Sequence, residues 1–443
     1  MVHGLHRCLV RMWDDMANQQ KSSIHTTATD VAVAIIGYGT AGTNALIALR
    51  TAGYQGKIRV FSNTNILPYS PIMTSYYAGG EKSYEECFFL SAEELDSLDA
   101  EVLSESPVTK LDTKAHIVHT AAGAFEYTKC VIATGATPTS PHFSGAESYQ
   151  PLVLRTMDDA ERLRAAITRP ECRRVLISGA SMIALKIMEA CLNRGVKVTL
   201  VGMNPHVLDF NALPEAAIRY EKGLKSKGVQ LLLGQTIKTV KVRGDENHLS
   251  PRQLEVTFST GEVDVFDEIA AAHGVRGNLE FVSNGSLEMD QSLVVDDYMR
   301  TSDPDVYAVG DVAQATELIS GEKHIVGVWK NAAVQGACAG RAIAAELAGV
   351  EIPTDTKYSG SISANTIAVK GTLFISAGTM EVTTTRRVEV QEDDEMTVVY
   401  IFEDKPDGTQ RLVGFNLVCD EDESGSKAYD TGAMLTLRIE KDL

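Results

Sequence analysis

Residues 31–36 form an unbroken apolar run rich in β-branched side chains, and from Thr40 to Arg50 the apolar positions recur at helical spacing. A short continuous run reads as a buried strand, and a spacing of three to four reads as a helix packed on it. Gly37-Tyr38-Gly39-Thr40-Ala41-Gly42 lies between the two, and a second apolar run, 57–61, follows Gly53 and Gly56. The stretch predicts strand, glycine turn, helix, strand. The same order returns from Arg174, with Gly179-Ala180-Ser181 at the turn, a helix to Asn193 and a strand over 196–201.

Elsewhere the pattern is less regular. Residues 67–80 read as a loop, punctuated by proline and glycine yet dense in aromatics, and 99–128 read as short alternating strands. An apolar strand from Lys129 ends in Ala133-Thr134-Gly135 and is stopped by Pro138. A helix over 214–227 precedes strands at 229–233, 237–242 and 253–258. Strand 306–309 closes on Gly310-Asp311, and Trp329 precedes a small-residue helix over 332–347. From 358 onward the pattern predicts strands and hairpins, with 391–395 and 420–423 as solvated acidic loops.

In the first turn Gly37 permits the sharp bend, Gly39 lets backbone approach a ligand, and Gly42 lets the helix pack close to the strand. The helix N-terminus then offers free N–H groups to an anion. A glycine-rich loop can also be a plain turn; the strand before it and the helix after it argue for a dinucleotide site. The second turn keeps only its first glycine. Ser181 stands where a pyrophosphate needs close backbone approach, Ala184 where the helix would pack closest, and Gly202-Met203 where a carboxylate would hold a ribose hydroxyl. Those residues leave nicotinamide-nucleotide binding there open. His273, in the exit from this unit, reads as a histidine satisfied by loop backbone or as a cofactor contact.

Length and composition change the picture modestly. A chain of 443 residues, 44% hydrophobic and 23% charged, predicts a globular protein of two or three domains. A formal net charge of -18 argues against nucleic acid and anionic membrane as partners, and would suit a basic protein carrier. The seven cysteines carry no CxxC or metal-like spacing, so reduced thiols, a cytoplasmic setting and no metal site are expected. No apolar stretch approaches the ~20 residues that span a bilayer. Residues 1–30 read as a polar extension and not a secretion signal.

Taken in order, Gly37, Gly39 and Gly42, then Ala133-Thr134-Gly135, Gly179, Gly274-Val275-Arg276 and the stretch from Thr301 to Ala313 resemble the two-dinucleotide-domain flavoproteins of the pyridine nucleotide-disulfide oxidoreductase family. The resemblance runs over residues 31–350. It implies an α/β fold with two Rossmann-like dinucleotide-binding domains (three-layer ββα) and a C-terminal α+β interface domain. The implied boundaries are an extension 1–30, an FAD-binding domain in two parts, 31–150 and 276–355, an inserted NAD(P)-binding-like domain 151–275, and an interface domain 356–443 through which a homodimer would form.

By the same resemblance, Gly37, Gly39, Thr40, Ala41 and Gly42 would hold the FAD pyrophosphate, with Ala133, Thr134 and Gly135 beside it. Gly310 and Asp311 would hold the ribityl and phosphate region, and Trp329 would border the flavin ring. Ser62 and Asn63 occupy the position of the acid expected on the FAD ribose, and Gly179 and Ser181 that of an NAD(P)H fingerprint. Ser181, Ala184, Lys186 and Gly202 depart from the family pattern. So does the absence of a redox cysteine pair, and of a single cysteine on the loop 69–73. Cys87, farther along, reads as a structural thiol.

The implied activity is FAD-dependent oxidation of NAD(P)H, with electrons passed to a protein or small-molecule acceptor without a cysteine; no residue is singled out as catalytic. Two other readings stand beside it. One is a flavoprotein relay or scaffold subunit of a larger complex with a decayed nicotinamide site. The other is flavin-dependent oxidation of a small organic substrate beside the aromatic run 69–77.

Overall fold

The computed structural model describes residues 32–243 and 253–443. The extension expected over 1–30 lies outside the described residues. The chain opens with strand β1 (Ala32–Ile36), helix α1 (Thr40–Thr51) and strand β2 (Lys57–Phe61), then a helix α2 (Met73–Gly79) and strands β3 (Glu101–Leu103) and β4 (Lys129–Ile132). It continues through α3 (Met157–Ile167), β5 (Arg174–Ser178), α4 (Met182–Asn193), β6 (Lys197–Gly202), α5 (Pro214–Ser226), β7 (Gln230–Leu233) and β8 (Glu268–Ala271). Strand β9 (Val306–Ala308) and helix α6 (Trp329–Leu347) return to the first unit. The chain finishes with β10 (Ala364–Val369), β11 (Thr372–Gly378), β12 (Arg386–Glu392), β13 (Met396–Asp404), β14 (Gln410–Asp420) and α7 (Glu421–Asp442).

Two parallel sheets result, ordered β9-β4-β1-β2-β3 and β7-β6-β5-β8, and one antiparallel sheet ordered β10-β11-β14-β13-β12. Every residue of β1 is buried, as a central parallel strand covered on both faces requires. Two three-stranded antiparallel sheets, within 108–126 and within 237–266, and two smaller sheets, one pairing 136–138 with 275–277 and one within 293–324, complete the β structure of the described residues. The fold is therefore the expected one, two Rossmann-like units with a C-terminal α+β unit.

The helix α6 is built from small residues because it must lie against α1. A Cβ at Gly336 would sit 2.2 Å from the Ala41 carbonyl oxygen, and one at Gly340 2.4 Å from that of Ala45. This contact fixes α1 and, through it, the glycine turn. The hydrophobic core of the second parallel sheet runs on into the C-terminal sheet and takes in Met73 and Tyr77 of α2, whereas the first sheet has a core of its own.

Three elements differ from the periodicity reading. The expected loop 67–80 contains α2, whose Met73 and Tyr77, four residues apart, are both buried, and which Gly80 ends at φ +86. Residues 420–423 do not form an acidic loop; α7 begins at Glu421, and Ala428, Leu435 and Ile439 turn one face of it into the core. Carboxylates suit a helix N-terminus, where they oppose the positive end of the dipole, so acidity there was compatible with either state. Helix α3, unmarked by strong periodicity, starts at a capping box between Thr156 and Asp159. Among the described residues no helix is long and apolar enough to cross a membrane.

Candidate functional site

The C-terminal ends of β1, β4 and β9 meet at one edge of the first sheet, the position at which open α/β sheets bind ligands. Gly37 leaves β1 at φ +111, and a Cβ there would lie 2.2 Å from the Ala133 carbonyl oxygen. The turn thus touches the end of β4. Gly42 is excluded from bearing a side chain by the Gly37 carbonyl, 2.1 Å from its notional Cβ. No described residue beyond its chain neighbours lies within 4 Å of a notional Cβ at Gly39, so that side of it faces open space. The first N–H groups of α1 have no intrahelical acceptor and point the same way.

Asp311 reaches this edge by a separate route. Gly310, at φ +75, donates its N–H to Gln335 Oε1 on α6 at 2.7 Å, and a Cβ on it would meet that of Ala41 at 3.2 Å. The helix pair therefore brings β9's exit against the start of α1. Asn278 ties in the end of β4: Thr134 Oγ1 donates to its carbonyl at 2.7 Å, and its amide returns a bond to the Thr134 carbonyl at 3.0 Å.

Gly37, Gly39, Thr40, Ala41, Ser62, Asn63, Ala133, Thr134, Gly135, Gly310, Asp311 and Trp329 all line one cavity of about 570 Å³, within the ~300–1,000 Å³ usual for small-molecule sites. Gly42 stands behind the turn, and Gly179 and Ser181 lie elsewhere. Ser62 is held by its own loop, its hydroxyl accepting the Thr64 N–H at 3.2 Å, and Asn63 is exposed. The cavity wall also includes Tyr69, from the aromatic run that the sequence singled out, and two residues it did not mark, Arg155 and Asn278. Among the described residues Arg155 is the only cationic side chain in that wall, and it forms an ion pair with Asp311. No motif announced it, since it arrives just ahead of the α3 capping box.

These residues fit the flavin dinucleotide that the sequence resemblance implies. The open side of Gly39 is a cradle that a Cβ would fill, and Thr40 Oγ1 and Trp329 Nε1 are buried polar atoms without a protein partner among the described residues. A buried donor without an acceptor is costly, by about 1–3 kcal/mol, which a ligand acceptor would offset.

The second unit repeats the turn with different fittings. Gly179, at φ +112, would put a Cβ 2.5 Å from the Ala272 carbonyl oxygen, so it plays the part of Gly37. Ser181 caps α4 with extended backbone but no side-chain hydrogen bond. Ser178 Oγ lies 2.8 Å from His273 Nε2, and burial holds the His273 imidazole below its usual pKa. His273 is thus partnered by a side chain from β5, not by loop backbone alone.

A family pattern described as pyridine nucleotide-disulphide oxidoreductase matches residues 31–336. The chain belongs to this family. It is an oxidoreductase. It is 30% identical over 334 residues to a rubredoxin-NAD(+) reductase of Pseudomonas putida, across 74% of this chain and 82% of that protein. It is 27% identical over 368 residues to the epsilon subunit of an NADH-dependent phenylglyoxylate dehydrogenase of Aromatoleum evansii, across 83% of each. The fold matches the structure of a covalent putidaredoxin reductase–putidaredoxin complex with a TM-score of 0.78 at 23% identity, covering 93% of this chain and 94% of that one.

Within this family the chain's departures have structural explanations. Cys87 is buried, its thiol directed at the carbonyls of Ser83 (3.5 Å) and Met73 (3.9 Å), and burial pushes its pKa up to about 11. It is no thiolate near neutrality. Lys186 on α4 donates to Tyr76 Oη at 3.1 Å and Glu189 at 2.7 Å and lies over the Tyr76 ring. Its charge is spent on joining α4 to α2. Burial works against that charge, but Glu189 and Tyr76 outweigh it and raise the pKa.

Proposed function

We propose that this oxidoreductase binds FAD in the cavity at the edge of the first sheet, takes electrons from a reduced nicotinamide at the second unit, and passes them to a redox protein without using a cysteine. The observation that carries the reading is the meeting of Gly37–Ala41 with Gly310–Asp311 on one cavity that holds Arg155. When bound, FAD supplies the hydride acceptor and the one-electron steps. The chain's residues bind and orient: the Gly39 cradle and the α1 N-terminus receive the pyrophosphate, Arg155 balances its charge, and Asp311 accepts hydroxyl hydrogen bonds. Trp329, against whose ring Phe89 packs edge-on at 6.5 Å, would border the ring system.

Cys87 supports the cysteine-free route, since its protonated, enclosed thiol is a poor nucleophile. Similarity to reductases whose names specify rubredoxin supports a protein acceptor. The experiment is an anaerobic titration of the purified yellow protein with NADH and NADPH. Loss of the flavin absorbance with either one is expected; a colourless protein that FAD does not reconstitute would end the proposal.

A second reading, a relay subunit in a larger assembly, is favoured by Ser181 and Gly202 in the second fingerprint and by the similarity to a dehydrogenase epsilon subunit. Persistent colour with both nicotinamides would select it. Direct oxidation of an organic substrate draws less support from the aromatic run. Tyr76 is engaged by Lys186, and Tyr77 donates to Glu161 at 2.5 Å, so only Tyr69 of the three faces the cavity. A homodimer remains part of the proposal through α7, where Met434 and Leu437 are exposed.

A further inference from the structure

We infer that the second nucleotide-binding unit selects NADH over NADPH through Asp209, a carboxylate supplied by the loop after β6 in place of the strand-end acid that Gly202 lacks. This rests on the function proposed above.

The loop folds back over the glycine turn. The Leu208 N–H donates to the Ala180 carbonyl at 2.8 Å, with Leu208 held at φ +60, an uncommon conformation for a leucine. Asp209 is the next residue. From the other side, Asn204, two residues beyond the end of β6, donates its amide to Asp209 Oδ2 at 2.8 Å. The carboxylate is therefore pinned between the exit of β6 and the turn after β5, the gap that an adenosine ribose crosses in a βαβ nucleotide fold.

Charge in the surroundings points to the same nucleotide. The segments at the C-terminal ends of the four strands, 178–185, 202–213, 230–237 and 268–275, contain no Lys or Arg. The one basic side chain there besides His273 is His206, whose Nδ1 is 3.1 Å from the buried Glu221 carboxylate. A 2′-phosphate facing Asp209 would find no guanidinium or ammonium within those four segments to offset it, whereas the two ribose hydroxyls of NADH are donors that a carboxylate accepts. Met203 and Phe210, 74% and 86% exposed, are the most exposed large apolar side chains among the described residues and belong to the same loop. They offer the flat apolar cover an adenine needs.

The test is anaerobic flavin reduction by each nicotinamide with the FAD-loaded protein, wild type and Asp209→Asn. Wild type should prefer NADH by at least about 100-fold in the second-order rate constant of flavin reduction, as repulsion of a 2′-phosphate by a carboxylate implies. Asp209→Asn should raise the NADH concentration for half-maximal reduction rate about tenfold, the loss of one charge-assisted hydrogen bond, and narrow the preference. Asp209→Arg should move it toward NADPH. Because Asp209 is exposed, the flavin spectrum and thermal midpoint should stay put in both variants. Equal use of NADH and NADPH by wild type, or an unchanged preference in Asp209→Asn, overturns the inference and leaves the proposed function standing. Failure of both nicotinamides to bleach a flavin-loaded wild type overturns the two together.

Discussion

Arg155 and Asp311, 156 residues apart in sequence, form an ion pair inside the cavity. The pair joins the segment entering α3 to the exit of β9, so each side chain is held where the other element puts it. A pyrophosphate arriving at α1 would meet a guanidinium already held in the same cavity wall by Asp311.

If Arg155 is the pyrophosphate's counter-charge, Arg155→Met should weaken FAD binding about 10- to 100-fold, the worth of a hydrogen bond to a charged group at ~1.5–3 kcal/mol. The substitution also leaves the half-enclosed Asp311 carboxylate without its cation. Reconstitution of apoprotein followed by flavin fluorescence gives the dissociation constant. An unaltered value would remove Arg155 from the site.

Glycines 37 and 39 should behave in opposite ways. Gly37→Ala forces a side chain into the Ala133 carbonyl at a positive φ, so it should destabilise the fold by several kcal/mol or prevent its recovery. A Cβ at Gly39 meets no described atom beyond its chain neighbours within 4 Å, so Gly39→Val should fold with a near-normal thermal midpoint yet purify without flavin. Thermal melts read beside the ratio of flavin to protein absorbance separate the two effects.

Much of this edge of the sheet was legible because its requirements are local: a turn that no side chain fits must be glycine, and an acceptor at a strand end must directly follow the strand. Arg155 and Asn278 were not legible, since each acts on a partner more than a hundred residues away and no spacing records that. Helix α2 was hidden by the proline and glycine that bound it, and α7 by an acidic start that suits a loop as well as a helix. Asp209 escaped for a geometric reason: the expected acid was sought at the strand end, and the chain delivers one seven residues later by folding back.

The Cys87 thiol makes two predictions. Cys87→Ala should reduce its flavin with nicotinamide as fast as wild type, because nothing in the proposed electron path passes through the sulfur. Its pKa, raised to about 11 by burial, also couples folding to alkaline pH. The folded thiol keeps its proton where the unfolded one ionises, so stability present below the unfolded pKa is lost as pH rises toward the folded value. Urea unfolding between about pH 8 and 11 should therefore fall less steeply in Cys87→Ala than in wild type. Parallel curves would mean the thiol is not enclosed.

Lys186 tests whether a departure in the second fingerprint is structural or functional. Its ammonium is enclosed between α4 and α2, bonded to Tyr76 and Glu189, and the raised pKa means it stays charged through neutral pH. Lys186→Glu would put a second carboxylate three residues from Glu189 in the same enclosed contact, and should destabilise by about 3–5 kcal/mol, the range for breaking a buried pair. Lys186→Met keeps the apolar stem that packs on Tyr76 and should cost less. If the lysine serves only the contact between helices, Lys186→Met leaves the KM for NADH within about twofold of wild type even as the thermal midpoint drops. A large rise in KM at an unchanged midpoint would instead make Lys186 part of the nucleotide site.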